Sequence, residues 1–115
     1  MSDDPLEDMR KWGDRAAKAQ AAGAQAYARL LRQAEEGSSG QAARIARFIA
    51  ATYNGTAFPL DLFELRAVDV EISDDMLLCL DALRWGKSDL YNLIPNGDER
   101  IRAMIKDWKL VPASQ

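Results

Sequence analysis

Residues 41–53 read QAARIARFIAATY, and their spacing decides the fold class. Ile45, Phe48, Ile49, Thr52 and Tyr53 fall at i, i+3, i+4, i+7 and i+8, so they share one face of an α-helix. Ser38, with Gln41 three residues on, offers a capping box for its start. Asn54-Gly55 ends it, because both residues tolerate the left-handed backbone found at helix C-termini.

Toward the N-terminus, Gly37-Ser38-Ser39-Gly40 is a breaker and the clearest linker in the chain. Residues 5–36 before it read as one long helix, or as two broken near Gly13 or Gly23. Asp4 can cap, Pro5 suits the first helical position, and Glu7 and Asp8 suit the helix dipole. Leu6, Met9, Ala16, Tyr27, Leu30 and Ala34 keep a rough 3/4 spacing. From Ala16 to Ala26 that stripe holds only Ala, Gly and Gln. Such a face buries little area but lets another backbone come close. It is the predicted route to a homodimer, and the N-terminal helix the predicted weakest element.

Toward the C-terminus, Phe58-Pro59-Leu60-Asp61 leads into a short helix, with Asp61 and Glu64 as reciprocal caps and Leu60 stapled onto Leu65. Val68-Asp69-Val70-Glu71-Ile72 alternates like a strand, but an isolated strand cannot satisfy its own backbone. An extended connector is the reading, a small two-stranded pairing the alternative. Ser73 caps a helix through Trp85, with Met76, Leu77, Leu80 and Leu83 as its apolar face, and Gly86 closes it. Ser88 starts a short turn of helix carrying Leu90, Leu93 and Ile94. Pro95-Asn96-Gly97-Asp98 is a turn, and a last helix carries Ile101, Met104, Ile105 and Trp108. The prediction is an all-α fold of about five helices. It has a long Ala-rich N-terminal arm (1–36) and a helical core domain (38–112). The expected core is Ile45, Phe48, Ile49, Leu65, Leu77, Leu80, Leu83, Ile101, Ile105 and Trp108.

The chain has 115 residues, 48% of them hydrophobic, enough for one domain and a sizeable core. A net charge of −3 argues against a general affinity for nucleic acid or anionic membrane. No apolar run approaches the ~20 residues that span a bilayer. The start lacks a secretory pattern, and Cys79 is the single cysteine, so the expected setting is the cytoplasm.

No histidine is present. That removes Ser-His and Cys-His nucleophile pairs, the commonest general base near neutral pH, and most zinc sites. Asp69, Glu71, Asp74 and Asp75 cluster, but an EF-hand loop starting at Asp69 would need Gly at 74 and Glu at 80, where Asp and Leu stand. They read as acids of a helix N-terminus. Cys79 lies at helical spacing from Met76 and Leu83, so it reads as a buried structural thiol rather than a nucleophile. No catalytic residue, cofactor or metal site is predicted.

Charge is uneven along the chain. From Arg10 to Arg47 there are eight Lys or Arg against three acids, and the part from Phe58 on is acidic. Arg29/Arg32 and Arg44/Arg47 each lie at i, i+3, so each pair leaves one helix face. The bland reading is a solvated face paired with acids of the same chain. The functional reading is a partner-binding patch, since arginine forks suit carboxylate and phosphate. Trp12 has few apolar neighbours in sequence and reads as an interface anchor. Trp85 and Trp108 close helices at core spacing and read as core.

Residues 44–110 resemble a family of small uncharacterised bacterial proteins carried on integrative and conjugative elements. The likeness rests on Tyr53-Asn54-Gly55-Thr56, Phe58-Pro59-Leu60-Asp61-Leu62, Leu65-Arg66, Asp89-Leu90-Tyr91-Asn92-Leu93-Ile94-Pro95-Asn96-Gly97 and Trp108. It leaves the N-terminal helix outside and implies a bacterial, mobile-element setting rather than a mechanism. The function expected is a non-enzymatic protein–protein interaction module, with Arg29, Arg32, Arg44, Arg47 and Trp12 facing the partner. Two alternatives are an anti-defence inhibitor of the anti-CRISPR kind, and a small regulator touching nucleic acid through the basic half.

Overall fold

The computed structural model describes residues 4–113, so the first three residues of the expected arm lie outside the described part. Four α-helices follow one another: α1 (Pro5–Glu36), α2 (Gly40–Tyr53), α3 (Val70–Arg84) and α4 (Gly97–Asp107). Single 3-10 turns at Leu62–Arg66 and Leu90–Leu93 occupy the places where short helices were expected, so the count is four rather than five. The first turn is closed by i→i+3 bonds, Glu64 N–H to Asp61 O and Ala67 N–H to Glu64 O, too few residues to complete α-helical turns. No strand occurs among the described residues.

α1 is one unbroken helix. Asp4 Oδ1 accepts the Leu6 N–H at 2.9 Å, Pro5 occupies the first turn, and neither Gly13 nor Gly23 interrupts the helix. A glycine inside a helix costs ~1 kcal/mol against alanine. At Gly23 the close approach of α3 requires it. Thirty-two residues at ~1.5 Å each make a rod of about 48 Å. It accounts for the 52 Å long axis, and for a radius of gyration of 15.6 Å where a compact chain of this length would have about 13 Å.

The core is built on α1 rather than beside it. Ala26, Tyr27, Leu30, Leu31 and Ala34 share one cluster with Ile45, Phe48 and Ile49 of α2, Ile72, Met76, Cys79 and Ala82 of α3, and Ile101 and Met104 of α4. The small residues Ala16, Ala19, Gly23 and Ala26 are already buried within the chain, Gly23 against Ala82 of α3. Trp108 donates its indole N–H to Ala34 O at 2.8 Å, satisfying a carbonyl at the C-terminal end of α1.

Four local expectations change. Val68–Ile72 is no extended connector, because α3 begins at Val70 with Asp69 as its N-cap. Gln41 holds Asp69 from both sides, donating to its carboxylate at 3.0 Å and accepting its N–H at 2.7 Å. Gln41 therefore serves α3, while Ser39, not Ser38, caps α2 by accepting the Ala42 N–H. Ser73, expected as a cap, lies inside α3 and donates to Val70 O. Asn54 caps the end of α2 without a left-handed backbone; its side chain instead accepts the Ala57 N–H.

The buried face of α3 is Ile72, Met76, Cys79 and Ala82, whereas Leu77 and Leu83 are 54% and 45% exposed. The reason is the partner surface. A Cβ built on Gly23 would lie 2.4 Å from Ala82 Cβ, so the two backbones meet at a distance that leaves no room for leucine. Leu65, Leu80, Ile105 and Trp108 pack on the core only partly buried, and Trp85 is partly buried outside it.

Candidate interaction surface

Three of the four predicted arginines are engaged within the chain. Arg29 makes a two-pronged pair with Asp75 at the start of α3, at 3.1 and 2.8 Å. Arg44 and Arg47 converge on Glu64 of the first 3-10 turn, with closest distances of 3.1 and 3.3 Å. Glu64 therefore ties the turn to α2 instead of capping it. Arg32 is exposed and makes no ion pair among the described residues. The two pairs thus act mainly as tethers between elements.

The expected acid cluster is dispersed in the same way. Asp69 is held by Gln41 and Asp75 by Arg29, and no group of His, Cys, Asp and Glu that could hold a metal is present among the described residues. Cys79 is fully buried, with its thiol toward Gly23 O at 3.9 Å. Burial pushes that thiol up to about 12, with Asp75 adding to the rise, so it is neither exposed nor ionised near neutrality. Tyr27 is raised by burial as well, and its hydroxyl bonds Thr52 Oγ1, which in turn donates to Ile49 O. The largely apolar hollow between Ala50, Phe58, Pro59 and Leu110, of about 240 Å³, contains no titratable group except Arg47.

Trp12 occupies a different environment. Ala16, Ala19, Gly23, Ala26 and Leu30, buried residues of α1 in register with the Gly23 contact to α3, follow a 3-4-3-4 spacing. Continued toward the N-terminus, that spacing runs onto Trp12 and Met9, with Leu6 beside them. α3 ends at Arg84, and these three side chains stay 54%, 66% and 66% exposed. Trp85, just past the end of α3, closes the inner edge, its ring 6.2 Å from that of Trp12. The Arg15 guanidinium stands 5.6 Å from the Trp12 ring centre and 5.7 Å from that of Trp85, and Arg84 lies 5.4 Å from Trp85 on its own account. The Trp85 indole N–H is buried without an acceptor among the described residues.

The outcome is an apolar seam that one chain half covers: closed from Ala16 inward, open from Trp12 outward. Sequence reading selected Trp12 but assigned Trp85 to the core and drew no function from Leu6 and Met9. The signal was the unbroken 3/4 register across Trp12, which is visible only once the partner helix and its end are known.

The family of unknown function DUF7673 matches residues 24–109. The chain belongs to that family. The DUF7673 segment begins inside α1 at Ala24, so it takes in more of the long helix than the likeness over 44–110 did. It holds most of the core, while Leu6, Met9, Trp12 and Arg15 lie ahead of it. No curated protein and no solved structure matches the chain.

Proposed function

We propose that the chain is a non-enzymatic protein–protein interaction module whose contact surface is the uncovered N-terminal end of α1. The support is one observation: the α1–α3 seam continues in register onto Met9 and Trp12 after α3 has ended. Exposed aromatic and aliphatic side chains in one row, flanked by arginine over the tryptophan faces, have the composition of an interface centre. The engagement of Arg29, Arg44 and Arg47 in intramolecular pairs supports a protein partner over nucleic acid, since paired guanidinium groups release fewer phosphate counterions.

The setting we infer is the cytoplasm of a bacterium carrying a mobile element. It rests on the sequence likeness around Tyr53–Thr56 and Asp89–Gly97 and on the single, buried cysteine. No helix among the described residues is long and apolar enough to cross a membrane.

The test is retention of protein from an extract of the source cells on the immobilised full chain. The triple change Leu6→Glu, Met9→Glu and Trp12→Glu should abolish specific retention while far-ultraviolet circular dichroism stays that of a helical protein. Equal retention by both chains would remove this surface from consideration.

A further inference from the structure

We infer that the open end of the seam docks a second copy of this chain, antiparallel, through residues 6–15 of α1. The inference rests on the interaction reading above and names its partner. Inside the chain, α3 runs antiparallel to α1: Arg29 meets Asp75 near the start of α3, and Gly23 meets Ala82 near its end. Beyond Arg84 a second antiparallel helix is needed to continue the same packing, and α1 of another copy has the required pattern.

Set two copies antiparallel about a twofold axis between Arg10 and Lys11. Met9 of one then faces Trp12 of the other, and Trp12 faces Met9, so the apolar positions of the seam pair with each other in both halves. A thioether against an indole is a favourable contact. Leu6 comes over Gly13 of the other copy, where no side chain stands and nothing lies within 4 Å of the missing Cβ. Flanking the seam, Asp8 of each copy faces Arg15 of the other, giving two opposite-charge contacts from one isologous arrangement.

Charge also decides between a second copy and a lipid surface. Residues 4–18 carry Asp4, Glu7, Asp8 and Asp14 against Arg10, Lys11, Arg15 and Lys18, which balance. A membrane-surface helix gains from anionic lipid through an excess of cations, which this segment lacks. Alternating signs suit a partner with the same alternation reversed. The seam spans about three helical turns a side. A contact of that length belongs with the small interfaces, under ~1,200 Å², typical of weak and transient association, so a reversible monomer–dimer equilibrium is expected.

The experiment is sedimentation equilibrium of the full chain across two decades of concentration spanning the micromolar range. The wild type should pass from monomer to dimer. Met9→Glu should remain monomeric with unchanged helicity, because Met9 contributes nothing to the core. Asp8→Arg alone and Arg15→Asp alone should each weaken association at least tenfold, and an equimolar mixture of the two should associate again. A wild type monomeric throughout, or a dimer indifferent to Met9→Glu and to the charge reversals, overturns the inference. So does a monomer that floats with vesicles containing anionic lipid. A monomer whose Trp12 surface still retains a cellular protein overturns the second copy and leaves the interaction reading standing.

Discussion

Gly23 and Ala82 lie so close that a Cβ placed on the glycine would be 2.4 Å from the alanine Cβ and 3.1 Å from Leu78 O. This contact sets the distance between α1 and α3, and with it the choice of which α3 residues face inward. Neither neighbour can turn aside, since one is a Cβ fixed to its backbone and the other a helix carbonyl.

Gly23→Ala is therefore expected to destabilise the protein by about 1–3 kcal/mol through overpacking, despite the helix propensity that alanine adds. Ala82→Gly in the same chain should return part of that loss by removing the opposing methyl. Chemical denaturation of the four chains of this cycle is the check, and a stabilised Gly23→Ala would mean that the helices are farther apart.

Phe48 is fully buried at the centre of α2, among α1, α3 and α4. Phe48→Ala should cost roughly 3–5 kcal/mol, as expected for an aromatic cavity in a packed core. A loss under ~1 kcal/mol in urea would show that α2 does not carry the core.

Alkaline unfolding follows from Cys79 and Tyr27. Burial raises both, Cys79 from 9.0 to about 12, so the native state holds them neutral while the unfolded chain ionises first. Stability is then fully present below about pH 9 and falls as pH rises toward 12, by about 1.4 kcal/mol per pH unit for the thiol alone. Circular dichroism against pH should show this loss, and Cys79→Ala should make it shallower. A thiol reagent at pH 8 should label Cys79 only as fast as the chain opens.

The arginines separate into tethers and a free side chain. Arg29→Glu places a second carboxylate against Asp75 and should cost about 0.5–1 kcal/mol, a small figure because the Arg29 side chain is 51% exposed. Arg32→Glu, with no partner to lose, should leave the melting temperature unchanged. Equal effects at both sites would show that the pair with Asp75 does not form.

How far the sequence reaches is visible in particular residues. The α2 face was legible because Ile45, Phe48 and Ile49 are bulky, evenly spaced and opposed by charge. The start of α3 was not, since Val68, Val70 and Ile72 alternate like a strand. What fixes the helix start at Val70 is Gln41, 28 positions from the N-cap Asp69 that it clasps. The inward face of α3 was misread for a related reason: bulk points to Leu77 and Leu83, yet Gly23 selects the small Ala82. The arginine patch looked like a surface because its carboxylates, Asp75 and Glu64, belong to other elements. Trp12 stands out by its isolation in sequence, but its neighbour Trp85 comes from just past the far end of α3.

The exposed seam at Leu6, Met9 and Trp12, as a protein-contact surface, should be found occupied inside cells. The most direct measurement is site-specific photocrosslinking in the source cells, with a photoreactive amino acid at Met9 and, as control, at Glu99 on the exposed side of α4. Discrete protein adducts are expected from position 9 and little or none from position 99. Equal adducts from both positions, or adducts to nucleic acid from position 9, would contradict it.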